Sequence, residues 1–322
     1  MKILITGITG QDGIFLTKHL LSKNANVEIV GISRNSDTSN FLKFAKISNL
    51  ENHQKLILKN INLLKLNEVS NFIKDFSPDY LFNLSGPSSV YESLKDPRIS
   101  EEIKLIFNNL TSSLIEQRNF CRFFQASSSE MYGNHFAIKY LNEDVNFSPN
   151  SPYAMAKLEN HKMVKSLNEK YSWNIYSGIM FNHESEYRKD SYLFMKIINS
   201  AYEIKLGNLK SLTLGSLDVI RDWSYAGDIA KGIYQLTTSG KFNNYVLGSG
   251  TGTSIKEVVK IVFELFELDY KTYIRVDENL LRPNDPKSII SDPQRIEKEI
   301  GWKTTKNIEY IINKIIDNKK NH

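Results

Sequence analysis

Lys2-Ile3-Leu4-Ile5-Thr6, running directly into Gly7-Ile8-Thr9-Gly10-Gln11-Asp12-Gly13, decides the fold. The first five residues are a short apolar run rich in isoleucine, the pattern of a buried strand. A helical pattern follows over 14–23. Glycines spaced three apart between a strand and a helix allow a tight turn, close approach of a pyrophosphate, and close packing of helix on strand. The helix N-terminus then faces the anion. A glycine trio alone says little, but in this context it predicts a dinucleotide-binding turn.

The same alternation continues outward. Short runs at Val27–Ser33, Leu56–Lys59, Tyr80–Leu84, Arg122–Ala126 and Asn174–Met180 read as strands. Helical patterns near 66–76, 100–119 and 153–171 lie between them. Strand and helix in alternation predict an α/β fold with a doubly wound parallel sheet, Rossmann-like. Beyond residue 180 the rhythm loosens. Helices are expected at 192–205 and 228–239, a strand at Tyr245–Gly248, and a helix in Ser254–Glu267 opened by a Ser254/Glu257 capping box. Prolines 283, 286 and 293 punctuate a loop before a last pair of helices. The expected division is a cofactor domain over 1–180 plus about 218–248. A smaller interleaved α/β substrate lobe takes about 181–217 and 249–322.

Composition narrows the function classes. The net charge of +5 is spread along the chain, with no basic stripe interleaved with aromatics, which argues against nucleic acid and suits an anionic small ligand. No apolar run approaches the roughly 18 residues of a membrane span. The start has too short an apolar stretch for a signal peptide, so a cytoplasmic location is expected. The single cysteine, Cys121, excludes an intrachain disulfide and argues against a thiolate metal cage, and no metal is expected. Its aromatic neighbours mark it as a buried structural thiol.

The end of the second strand selects the cofactor. Gly31-Ile32-Ser33-Arg34 has no carboxylate to hold a ribose 2′-hydroxyl, whereas Arg34 suits a 2′-phosphate, so the expectation is NADP. Chemistry is expected at Pro149-Asn150-Ser151-Pro152-Tyr153-Ala154-Met155-Ala156-Lys157. Ser151 caps a helix, Pro152 is its first residue, and Tyr153 and Lys157 share one face. A tyrosine acting as a base must have its pKa brought from about 10 to about 7, worth about 4 kcal/mol. One cation at ~4 Å supplies about that much at an effective dielectric near 20. The strand Arg122–Ala126 ends in Ser127-Ser128-Ser129-Glu130, at the ligand crevice. Ser128 can hydrogen-bond the oxygen being oxidised. Glu130 points to a second proton transfer, such as removal of the C5 proton once C4 is a ketone.

At these residues the chain resembles the extended short-chain dehydrogenase/reductase superfamily. It resembles the GDP-mannose 4,6-dehydratase family in particular through Phe124-Gln125-Ala126-Ser127-Ser128-Ser129-Glu130, Ser151-Pro152-Tyr153-Ala154-Met155-Ala156-Lys157-Leu158, Phe181-Asn182-His183-Glu184-Ser185 and Arg221-Asp222-Trp223, with Arg282-Pro283 a looser match. The resemblance implies that Tyr153 takes the C4 hydroxyl proton while hydride passes to NADP. Glu130 then removes the C5 proton and protonates the leaving C6 hydroxyl, and hydride returns to C6. It further implies a cofactor shell of Gly7, Thr9, Gly10, Gln11, Asp12, Gly13, Arg34, Asn62, Leu63, Leu84, Ser85, Ser88, Tyr153, Lys157, His183 and Arg188. The implied substrate shell is Ser88, Ser128, Glu130, Asn182, Lys196, Arg221 and Arg282, with the two arginines on the diphosphate of a GDP-sugar. A homo-oligomer, dimer or tetramer, is implied as well.

Several positions depart from the family pattern. Ser128 stands for threonine, Asn35 for a second arginine, Asn62 for aspartate, Pro87 for glutamine, Met195 for arginine and Asp285 for glutamate. The reacting residues are intact while the recognition shell differs, so a GDP-linked relative of mannose such as a heptose stays open. A nucleotide-sugar decarboxylase resembles the chain in its Ser-Glu pair and Tyr-x-x-x-Lys, but the Phe-Asn-His-Glu-Ser and Arg-Asp-Trp segments argue against it. Glu130 argues against a 4-epimerase. A non-catalytic nucleotide-sugar sensor has no need of all four reacting residues. For Arg221 a structural ion pair, and for His183 a core role, are the alternatives.

Overall fold

A computed structural model describes residues 1–23, 26–33, 50, 54–135, 139–241, 244–281 and 285–320. Arg34 and Arg282, and with them the expected 2′-phosphate contact and late phosphate contact, lie outside the described residues. So does Asn35.

The first strands are β1 (Lys2–Thr6), β2 (Glu28–Ser33), β3 (Leu56–Asn60), β4 (Tyr80–Asn83), β5 (Arg122–Ser128) and β6 (Ile175–Met180). With β10 (Tyr245–Leu247) they form a seven-stranded sheet in the order β10-β6-β5-β4-β1-β2-β3. Every pairing in it is parallel. This is the expected doubly wound fold. Ile3, Leu4 and Ile5 are fully buried, because helices cover both faces and no polar alternation is needed. The helix Gln11–Lys23 packs on the helix Ala226–Thr238. On the opposite face Val69, Ile73 and Phe76 of the helix Leu66–Phe76 are buried in a cluster with Phe107 and Leu110. Strand order reverses between β1 and β4, so their carboxyl ends open a crevice.

The second layer is built from β7 (Asn182–Glu184), β9 (Ile220–Tyr225), β11 (Gly252–Ser254) and β13 (Ser288–Ile289). Here β9 pairs with β11, β13 and β7. A further pair, β8 (Leu212–Leu214) with β12 (Ile274–Val276), lies beside it. Helices Leu193–Lys205, Ile255–Leu265 and Ile308–Lys320 close over a core containing Phe194, Ile198, Val258, Val262, Phe263, Ile311 and Ile312. Burying each such side chain stabilises by about 1.5–3 kcal/mol.

The expected capping box is present: Ser254 accepts from the backbone of Glu257, whose carboxylate accepts from the backbone of Ser254. Sequence reading missed β9, and with it the sheet it anchors. Residues 218–248 thus serve both sheets, β9 in the smaller and β10 at the edge of the larger. Among the described residues no helix is long and apolar enough to cross a membrane.

Candidate active site

The glycine loop forms the floor of the crevice. Gly7 has φ +70°, and a Cβ there would lie 2.7 Å from the Leu84 carbonyl oxygen, so only glycine lets the ends of β1 and β4 meet. A Cβ on Gly13 would fall 2.5 Å from Ile8 Cα. That glycine is what lets the helix approach its own strand. The Gly10 amide donates to the Gly7 carbonyl at 3.0 Å and closes the turn. Beside it, the Thr6 hydroxyl donates to Asn83 Oδ1 at 2.7 Å, and Ser85 donates to the same oxygen at 2.8 Å. After β3, Asn62 Oδ1 accepts from the Leu64 amide at 3.0 Å, and Leu63 is buried with its carbonyl held by Asn109. A backbone cradle at a helix N-terminus, open only because side chains are absent, fits a dinucleotide pyrophosphate.

Tyr153 and Lys157 lie on the helix Pro152–Tyr171, which starts as expected: Ser151 Oγ accepts from the Ala154 amide, and Pro152 follows the cap. Both side chains are buried. Lys157 Nζ sits 5.7 Å from the Tyr153 ring centroid and donates to the Ala126 carbonyl at 2.9 Å. Burial lowers the Lys157 ammonium to about 8, with the Asp12 carboxylate pulling the other way. At the end of β5, Ser128 Oγ accepts from the Glu130 amide at 3.2 Å. That contact leaves the hydroxyl hydrogen of Ser128 for another acceptor, and Ser128 lies within hydrogen-bond reach of the Tyr153 phenol. Burial pushes the phenol up. Ser128 and Arg188 draw it down, while Glu130 and Tyr192 push it further up. Glu130 and Tyr192 therefore lie within electrostatic reach of the Tyr153 phenol.

The segment after β6 crosses beneath the loop. Gln11 Nε2 donates to the His183 carbonyl at 2.9 Å, and Ser185 donates to Gln11 Oε1 at 2.8 Å. His183 faces Asp12. Arg188 Nε lies 3.2 Å from the buried carboxylate of Glu184, and its guanidinium stacks 3.6 Å from the centroid of the Tyr192 ring. The Tyr192 hydroxyl lies 2.5 Å from Ser88 Oγ. Gln11, Asp12 and His183, all read from sequence as cofactor contacts, thus join the two chain segments, while Arg188, read the same way, ties residues within the second.

On the substrate side, Asn182 is half-buried at the start of β7, opposite Trp223. Lys196 is exposed and donates to the Thr213 carbonyl at 3.2 Å, whereas Met195 points into the lobe's core. Arg221 is buried. Its guanidinium donates to the Pro286 carbonyl at 2.8 Å and to Asp285 Oδ1 at 2.7 Å. It thereby anchors Asp285 and Pro286, so the structural ion pair envisaged from sequence is formed, with Asp285. Asp222 accepts from the amides of Ser249, Gly250 and Ser291. Sequence reasoning missed Tyr192 and Glu184. Glu184 was read only within the Phe181-Asn182-His183-Glu184-Ser185 motif, and Tyr192 only as the first residue of a helical pattern at 192–205.

Together, cradle, buried Tyr-Lys pair and adjoining serine define a nicotinamide-dependent enzyme of the short-chain dehydrogenase/reductase class. The family model for GDP-mannose 4,6 dehydratase matches residues 4–315. GDP-mannose 4,6 dehydratase 2 of Arabidopsis thaliana is 29% identical, over 98% of this chain and 85% of its own length. GDP-mannose 4,6-dehydratase of Sinorhizobium fredii is 30% identical, over 93% and 91%. Among solved structures, dTDP-glucose 4,6-dehydratase of Bacillus anthracis in complex with NAD superimposes with a TM-score of 0.85 at 16% identity, covering 100% of this chain and 97% of that one. RMD of Pseudomonas aeruginosa complexed with NADPH gives 0.82 at 21%, covering 99% of each. The chain belongs to the GDP-mannose 4,6-dehydratase family.

Proposed function

We propose that this nucleotide-sugar 4,6-dehydratase takes a GDP-linked hexose or close relative, uses NADP, and releases the 4-keto-6-deoxy sugar. The observation that carries the reading is the convergence of Ser128, Glu130 and Tyr153 at the end of β5, with Glu130 close enough to disturb the Tyr153 phenol. A dehydration needs this arrangement, because the base at C4 and the acid–base at C5 and C6 must serve neighbouring carbons.

Tyr153 takes the proton of the C4 hydroxyl, and Ser128 donates its hydrogen to the same oxygen. Lys157, held on the Ala126 carbonyl, keeps a positive charge beside the phenolate. When bound, the nicotinamide supplies the acceptor for the C4 hydride, the donor that returns it to C6, and a further positive charge. With C4 a ketone, the C5 proton becomes acidic. Glu130 removes that proton and passes it to the C6 hydroxyl, which leaves as water. As hydride returns to C6 a proton is added back at C5 and Tyr153 gives up the proton it took, so the sugar loses one water with no net oxidation.

Arg34 is our candidate for the 2′-phosphate, since the chain has no carboxylate at the end of β2 before Asp37. Arg221 and Arg282 are our candidates for the diphosphate, Asn182 and Lys196 lie on the same side, and the sheet domain and smaller lobe divide cofactor from sugar. A single buried thiol suits a reducing compartment, and we assign the cytoplasm. Exposed Leu105, Met155 and Met163 on two adjoining helices support a homodimer or homotetramer.

The test is mass spectrometry of products from a panel of GDP-, UDP- and CDP-sugars, each with NADP or NAD. Loss of water from a GDP-sugar with NADP supports the reading. Loss of carbon dioxide, epimerisation, or dehydration confined to a UDP- or CDP-sugar contradicts it.

A further inference from the structure

We propose that the Tyr192 hydroxyl, paired with Ser88 across the mouth of the cleft, holds the C3 hydroxyl of the sugar while Tyr153 acts at C4. This rests on the reading of a hexose oxidised at C4. Tyr192 comes from the segment leading into the helix Leu193–Lys205 of the smaller lobe, and Ser88 from the loop after β4. Their oxygens are 2.5 Å apart, so the pair bridges the two sides of the cleft.

Three observations make this a binding pair and not a chance contact. Tyr192 is held through both its ring and its backbone. Arg188 stacks on it at 3.6 Å and is itself anchored by buried Glu184, while the Tyr192 amide donates to Lys189 and its carbonyl accepts from Lys196. The oxygens stand where a ligand can reach them, since Ser88 is exposed and Tyr192 only half-buried. Tyr192 also lies near enough to Tyr153 to disturb its phenol, as does Glu130.

The sugar's geometry then assigns the contact. The C4 oxygen belongs to Tyr153, and Glu130 must reach C5 and C6. The remaining neighbour of C4 is C3. Two hydroxyls bonded to each other still offer one hydrogen and several lone pairs. A sugar hydroxyl, which both donates and accepts, satisfies that set.

The experiment compares GDP-mannose with its 3-deoxy analogue, using the wild type and Tyr192→Phe, a change that keeps the ring under Arg188. We expect kcat/KM for GDP-mannose to fall about tenfold in the variant, the loss of one hydrogen bond. The 3-deoxy analogue is expected to turn over equally in both proteins. Equal effects on the two substrates, or none on either, overturn the C3 assignment alone. If the wild type dehydrates another GDP-sugar and not GDP-mannose, the same comparison is made with that sugar and its 3-deoxy analogue; failure on every GDP-sugar overturns the function reading, and the assignment with it.

Discussion

Asp12 and His183 meet beneath the cleft, with His183 Nε2 3.0 Å from one carboxylate oxygen and 3.1 Å from the other. The opposite ring nitrogen, Nδ1, lies 2.7 Å from the Phe181 carbonyl. Both partners are acceptors, so the ring satisfies both only when doubly protonated. Burial works against that charge, and Asp12 outweighs it, so the His183 pKa is raised. Burial likewise raises Asp12, but His183, Arg188 and Lys157 outweigh it and the carboxyl ends below its ordinary 3.8. The pair fastens the glycine loop to β7.

Removing the imidazole strands a buried carboxylate. His183→Ala is expected to cost about 3 kcal/mol of stability, read from urea unfolding. The wild type's advantage has a definite pH window. The histidine contribution is complete below about pH 6.5 and is lost as pH rises through the raised folded value. The Asp12 contribution is present above 3.8 and is lost as pH falls through its lowered value. Unfolding from about pH 5 to about pH 9 should show the gap between wild type and variant shrinking at the alkaline end.

The buried ammonium of Lys157 gives a kinetic prediction. Burial brings it down to about 8, and Asp12 opposes that fall. The alkaline limb of the kcat/KM profile should therefore lie near pH 8 for the wild type. Asp12→Asn removes the opposing carboxylate, so the limb should move to lower pH. An unmoved limb separates Asp12 from the lysine's ionisation.

Asp222 is expected to matter for folding before chemistry. Its buried carboxylate accepts from the amides of Ser249, Gly250 and Ser291 and from the Ser249 and Ser291 hydroxyls. Asp222→Ala leaves these donors unsatisfied in the interior. It should lower stability by about 3 kcal/mol, visible as a shifted denaturation midpoint.

These sites show where reading the sequence succeeds. The strand, glycine turn and helix over 2–23 were legible because each signal is local: an apolar run, glycines, then helical spacing. The Ser151-Pro152 start and the Ser254/Glu257 capping box were legible for the same reason. The four-stranded sheet was not. Its strands β7, β11 and β13 are at most three residues long, and they are strands only because β9 pairs with them from distant positions. Arg221 could be singled out, but its partner Asp285 lies 64 residues away and is brought to it by that pairing alone. Tyr192 was hidden for a related reason, since its meaning lies in Ser88, 104 residues earlier. The Tyr153–Lys157 pair was found, but its electrostatics were not. Sequence chemistry asked the lysine to lower the phenol, whereas burial raises the phenol and lowers the lysine.

The most direct test concerns Glu130. In heavy water with the natural substrate, wild type should build deuterium into C5 and lose water. Glu130→Gln should still oxidise C4, seen as transient reduced nicotinamide, yet leave C5 without deuterium and the C6 hydroxyl in place. Dehydration and C5 labelling at the wild-type rate in that variant contradict the assignment of the carboxylate and the mechanism built on it.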